Sequence, residues 1–185
     1  MWVTTEPIPD MTSATTSRLS TGIEGLDEIL YGGFLPQRNY LVKGTAGSGK
    51  TILGLHFLQA GVDAGDHVLF INVEEDLDDL TANADALGFD TDAIDFLDLS
   101  PTADVFVEDR TYDVFDAAEV EQEPLREEIV DRVERLEPTR VVVDPLTQFR
   151  YLSTDDYQFR KQVVGLLRFL EQRGATVVFT AQDAR

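Results

Sequence analysis

The chain has 185 residues, 43% of them hydrophobic and 27% charged, a composition that suits one globular domain with a substantial core. No apolar run approaches the roughly 20 residues a membrane span needs, and the absence of cysteine excludes disulfides and thiolate metal sites. The formal net charge of -20 comes from 35 acidic against 15 basic residues, with lysine only at Lys43, Lys50 and Lys161; it looks like a halophile's surface and lowers the expectation of a DNA partner, modestly so where salt screens repulsion.

Residues 1–17 are rich in Thr, Ser and Pro without a hydrophobic period, and read as a mobile leader ahead of a core over 18–185. The amino terminus lacks the basic and apolar regions of a secretion signal, so a reducing cytoplasm is the expected location. Thr21 and Glu24 have capping-box spacing, and Ile23, Leu26, Ile29 and Leu30 follow at helical spacing until Gly32 and Gly33, which predicts a short helix over 22–31. Tyr40 to Lys43 reads as a short buried strand ending in a glycine-rich turn, and 50–60 as a helix. Further apolar runs at 68–73, 94–99, 140–144 and 176–180 predict four more strands, apolar on both faces as in a covered parallel sheet. Between them, 80–87, 125–136 and 159–170 repeat every 3.6 residues, with Leu125, Ile129, Val133 and Leu136 on one face. The alternation gives an α/β fold, a mostly parallel sheet flanked by helices. Residues 104–122 are acidic and aperiodic and read as an insertion.

The turn Gly44, Thr45, Ala46, Gly47, Ser48, Gly49, Lys50, Thr51 matches G-x-x-x-x-G-K-[ST] between a predicted strand and a predicted helix, the context that makes this motif a phosphate-binding P-loop. Glycines let the backbone curl so that successive N–H groups converge on phosphate oxygens, and the helix adds its positive dipole end. Lys50 is expected to reach the β and γ phosphates of ATP, and the Thr51 hydroxyl to ligate Mg2+.

Asp144 ends the strand Val141-Val142-Val143, at the sheet end where α/β folds place ligands, and is expected to share the magnesium shell with Thr51. The plain alternative is an aspartate opening a turn before Pro145. Glu74 and Glu75 close the second strand. A carboxylate beside the γ-phosphate orients and deprotonates the attacking water, so Glu74, with Glu75 as second member, is the candidate base. A regular strand points the two to opposite faces, whereas a break in it brings both to the nucleotide. Thr180 and Gln182, ending the last strand, are candidate γ-phosphate sensors. His56, among Leu55, Phe57 and Leu58, is expected to pack rather than ligate.

Taken in order, these segments resemble the KaiC-type ATPases of the RecA superfamily. The resemblance is carried by 19–33, by the P-loop, by Val73-Glu74-Glu75, by 141–147 and by 176–182. It implies a RecA-like P-loop fold in which the last strand lies between the P-loop strand and the Asp144 strand. It also implies hexameric rings with ATP at subunit interfaces, and protein partners in signalling. Domains of that family continue with strands that carry a basic residue to the neighbour's ATP, whereas this sequence stops at Arg185, as a truncated core would. A charge supplied in trans contributes roughly 10³ to 10⁵ in rate.

Three functions are open on the sequence alone: an ATPase coupled to conformational signalling, a nucleotide-gated binding module that does not hydrolyse, and a DNA-repair ATPase. The last would use the loop 148–153, where Arg150 sits between two aromatics as a stacking platform for bases, although Asp155 and Asp156 follow directly.

Overall fold

The computed structural model describes residues 17–100, 122–150 and 155–183. The leader up to residue 16, the acidic insertion apart from Gln122, and residues 151–153 of the candidate DNA loop lie outside the described residues.

One parallel sheet organises the chain. Its strands are β1 (Asn39–Gly44), β2 (Val68–Asn72), β3 (Asp95–Asp98), β4 (Arg140–Asp144) and β5 (Thr176–Gln182), in the order β1-β5-β4-β2-β3. The last strand therefore separates the P-loop strand from the Asp144 strand, as the resemblance implies. Helices α2 (Lys50–Ala64) and α3 (Leu77–Ala86) cover one face; α4 (Gln122–Leu136) and α5 (Asp156–Gln172) cover the other.

Alternation along the strands assigns the two cores. Phe70, Val142 and Val178 meet Leu55, Leu58, Leu80 and Ala84 of α2 and α3. Leu69, Ile71, Val141, Val143 and Val177 meet Leu125, Ile129 and Val133 of α4 and Leu170 of α5. Because both faces are buried, β2 and β4 are buried at every position, which is why they read as unbroken apolar runs.

β1 departs from its expected burial. It lies at the edge of the sheet among the described residues, and Leu41 is 53% exposed while Tyr40 and Val42 pack toward α2. Leu41 belongs to neither core, so this apolar run is buried on the α2 face only.

The capping box is also corrected. Helix α1 spans Glu24–Ile29, its N-cap is Ile23, and no side chain caps it. Thr21 instead points into the segment: its backbone N–H and its hydroxyl both donate to Asp27 Oδ1, at 2.8 and 2.7 Å, while Ser20 Oγ donates to Asp27 Oδ2 at 2.6 Å. One carboxylate oxygen of Asp27 accepts both the amide and the hydroxyl of Thr21, two charge-assisted bonds where Glu24 in a capping box would accept the amide alone. An antiparallel bridge between Leu19 and Phe34 closes the loop around α1.

Candidate functional site

The P-loop lies between β1 and α2. Gly47 and Gly49 occupy left-handed backbone at φ 72° and 86°, and a Cβ on Gly44 would stand 2.6 Å from Ser48 Oγ, so the curl needs glycine at these points. Gly49 is the N-cap of α2 and supplies no side-chain cap, which leaves the first N–H groups of a 15-residue helix facing the loop's concavity. Lys50 Nζ donates to the Thr45 carbonyl at 2.9 Å, which lays the ammonium across the mouth of the turn.

Behind the loop, Asp144 binds two hydroxyls. Thr51 Oγ1 donates to its Oδ2 at 2.5 Å, and the Thr180 hydroxyl donates to its Oδ1. Asp144 is 8% exposed and Thr180 fully buried, so the carboxylate is held between α2 and β5. The donor set of hydroxyl and carboxylate oxygens, with no nitrogen or sulfur ligand beside it, fits a hard divalent cation such as magnesium. Among the described residues no cluster of three His, Asp or Glu forms a separate metal centre.

Strand β2 ends at Asn72, and the chain turns before α3 begins at Leu77. The break brings both glutamates to one place. A cleft of about 410 Å³ is lined by Ala46 to Thr51 of the loop together with Asn72, Glu74, Glu75, Asp144 and Gln182. Gly44 and Thr45 form the base of the loop and do not line the cleft. Partial desolvation raises the Glu75 carboxyl's pKa above its ordinary value, and the charges of Asp144, Glu74 and Asp79 raise it further. Thr180 does not line the cleft; its contact with it runs through Asp144.

The sequence model for the family described as "ATPase: KaiC" matches residues 19–185. The chain belongs to the KaiC ATPase family. It is 30% identical over 183 residues to the circadian clock oscillator protein KaiC of Parasynechococcus marenigrum, covering 95% of this chain and 34% of that protein. It is 31% identical over 173 residues to a UPF0273 protein of Thermotoga maritima and 32% identical over 177 residues to one of Pyrococcus horikoshii, covering 69% of each. The chain thus spans about a third of the length of the clock proteins it matches. Membership makes the domain an ATP-binding one of RecA-like fold, and the all-parallel sheet agrees. Among the described residues no helix is long and apolar enough to cross a membrane.

Three other residues singled out in the sequence are placed by packing or pairing. The His56 ring stands edge-on to Phe89 at 4.9 Å, as a packed histidine should. Phe149 is 8% exposed and belongs to the core, and Arg150 is paired with Asp156 at 2.5 Å. The stacking platform thus loses the first of its aromatics to the core, and its arginine already has an acidic partner.

Sequence reasoning missed Asn72 and Arg140. Asn72 sits in an apolar run and carries no motif; its partners lie on a neighbouring strand and across a turn. Arg140 heads β4 with its side chain 3% exposed. Its Nε donates to Asp66 at 2.8 Å, one terminal nitrogen donates to the Ser20 and Phe57 carbonyls, and its guanidinium lies over the Phe57 ring. An arginine opening an apolar strand was the available signal, since such a charge is buried only when fully partnered.

Proposed function

We propose that the chain is an ATPase domain that binds ATP with magnesium in this cleft and hydrolyses it, coupling occupancy to conformational signalling. The observation that carries the reading is the convergence of Glu74 and Glu75 on the cleft that holds Lys50, Thr51 and Asp144. The P-loop amides and the Lys50 ammonium, released from the Thr45 carbonyl, bind and orient the β and γ phosphates. Thr51 and Asp144 would hold magnesium, whose charge offsets that developing on the phosphate oxygens. Glu74 orients water against the γ-phosphorus and takes its proton as the new P–O bond forms and the bond to the β-phosphate oxygen breaks, leaving ADP and phosphate. Glu75 is the second member, and its raised proton affinity suits it to share that proton.

The signalling half rests on Gln182 and Thr180. Gln182 lines the cleft at the end of β5, and Thr180 on the same strand holds Asp144, so a change at the γ-phosphate reaches β5 directly. Lys50 is the sole cation lining the cleft among the described residues, against the three carboxylates of Glu74, Glu75 and Asp144 in the same lining. A polyphosphate calls for more positive charge than that, which supports a shared site completed by a neighbouring copy, as in a hexameric ring of the complete protein. Signalling proteins in the cytoplasm are the partners this reading favours over DNA.

The test is phosphate release by the complete protein at saturating MgATP. Glu74→Gln and Glu75→Gln should each slow release by roughly 10²-fold, the lower part of the range for a positioned base, with ATP affinity within about threefold of wild type. Release unchanged in both variants removes the glutamates from the chemistry. A wild type that binds ATP but releases no phosphate is the gated binding module instead.

A further inference from the structure

Asn72 is the last residue of β2 and is 2% exposed, yet it lines the cleft. In the sheet register it stands opposite Asp98 on β3 and Asp144 on β4, so a neutral amide separates two carboxylates at the carboxyl ends of three adjacent strands. Both of its N–H donors are used. Nδ2 donates to Asp98 Oδ1 at 2.9 Å and to the Glu75 carbonyl at 2.6 Å. Asp98 is fixed in turn, because the Ser100 N–H donates to the same Oδ1 at 3.0 Å. Two backbone bonds anchor the level at which β2 stops: the Val73 N–H donates to the Asp144 carbonyl at 3.1 Å, and the Leu99 N–H to the Asn72 carbonyl at 2.8 Å.

A chain leaving a strand end can continue straight, sending successive side chains to opposite faces, or turn back. The amide of Asn72 captures the carbonyl three residues on and closes the turn over its own strand. That closure puts Glu74 and Glu75 on the same cleft. Apolar residues of similar size cannot do this, and an aspartate, with the same shape but no N–H, adds a third carboxylate to the row.

We propose that Asn72 is the positioning residue for the tandem glutamates: tethered to Asp98, it holds the Glu75 carbonyl and so sets both carboxylates against the cleft. It touches neither the reacting phosphate nor the water, and acts through the turn. The inference rests on the hydrolytic reading for its rate consequence and on geometry alone for the tether.

The experiment compares wild type with Asn72→Ala, Asn72→Asp and Asn72→Ser in the complete protein. It reads kcat and KM for ATP, thermal unfolding, and amide hydrogen exchange over 73–76. With the tether, Ala and Asp each lower kcat about tenfold or more, KM moves less than about threefold, and exchange over 73–76 speeds up. Ser, which keeps one donor, recovers part of the rate. Should one variant fail to fold, the others carry the comparison. Equal kcat in all variants overturns the proposal, as does a fall in kcat matched only by lost folded protein, or an isosteric Asp that works like wild type. If the wild type shows no turnover, the hydrolytic reading falls by itself, and the exchange decides the tether: unchanged rates over 73–76 in Asn72→Ala and Asn72→Asp reject it.

Discussion

Lys50 lines the cleft with no second cation beside it among the described residues, so its loss removes the positive charge that the proposed reading sets against the phosphates. Charge-assisted bonds of this kind contribute about 1.5–3 kcal/mol each, and 1.4 kcal/mol is tenfold in affinity. Lys50→Ala should therefore weaken ATP binding by roughly a hundredfold, read by titration with a fluorescent nucleotide, while the fold persists because the lost contact is one bond to Thr45. Glu75 makes a prediction of opposite sign for stability. Its carboxyl holds a proton more strongly folded than unfolded, so its contribution is most favourable below the ordinary glutamate pKa and is lost as pH rises through the raised value. Glu75→Gln should thus raise the unfolding midpoint near pH 7, with the advantage closing as the pH falls into the carboxylate range. A midpoint equal to wild type near pH 7 would show that its neighbours impose no cost. At this scale the sequence was legible where the chemistry is local. Lys50 and Thr51 belong to one eight-residue turn, and Asp144 ends an apolar run that is a strand in the structure. The Thr180 hydroxyl on Asp144 and the Asn72 amide on Asp98 are cross-strand contacts, and no local pattern encodes which strand ends meet.

Helix α2 carries the P-loop, and how closely it lies on the sheet sets where Lys50 and Thr51 stand. Two glycines allow the approach. A Cβ on Gly54 would stand 2.9 Å from Val142 Cγ1, and one on Gly61 would stand 2.6 Å from Arg140 Cδ and 2.7 Å from Val68 Cγ1. Gly61→Ala should lower stability by about 1–3 kcal/mol, the usual cost of overpacking, as read by denaturant unfolding. Because Gly61 lies more than two turns from the loop, ATP affinity of the folded fraction should change little. The segment before α1 offers a second test. Burial alone raises the Asp27 carboxyl, but the bonds from Ser20 and Thr21, with the Arg140 charge, outweigh it and leave its pKa lowered. A lowered carboxylate stabilises above its unfolded pKa and loses that contribution as pH falls through the folded value. Asp27→Ala should cost about 1–2 kcal/mol at neutral pH, discounted for partial exposure, and the difference from wild type should shrink in acid. Periodicity located α1 but not what holds it: Thr21 and Glu24 have the right spacing for a cap, but the carboxylate six residues beyond the threonine takes the Thr21 amide that Glu24 would accept, and its hydroxyl as well. In the same way, hydrophobicity found β1 without showing that it lies at an edge.

For the molecule as a whole, alternation of strands and helices gave the fold class, whereas of the order β1-β5-β4-β2-β3 only the β1-β5-β4 part was legible, through the resemblance, since apolar runs of similar composition carry no address. Net charge is a property that the sequence states outright and that the structure leaves in place. The described residues include local offsets such as Lys43 with Asp183 and Arg38 with Glu171, but these surface pairs cannot neutralise an excess of -20. The excess repels itself more in the folded state, where the charges are close, than in the expanded chain. Salt shortens the Debye length from about 10 Å at 0.1 M to about 3 Å at 1 M, below the spacing of most surface charges, so the penalty should fall away over that range. If screening recovers about 2 kcal/mol, the unfolding midpoint should rise by roughly 4–8 °C for a chain of this size. Most of the gain should come below 1 M KCl, where the screening length changes fastest, and sucrose at matched osmolality should not reproduce that early rise. Sucrose acts by exclusion from the protein surface and leaves charges unscreened. A midpoint flat in KCl, or a rise matched by sucrose, would mean that the acidic surface is spread too thinly to destabilise the fold. A rise specific to salt would assign the penalty to self-repulsion, and the stability of this domain would then depend on the ionic strength in which ATP is bound.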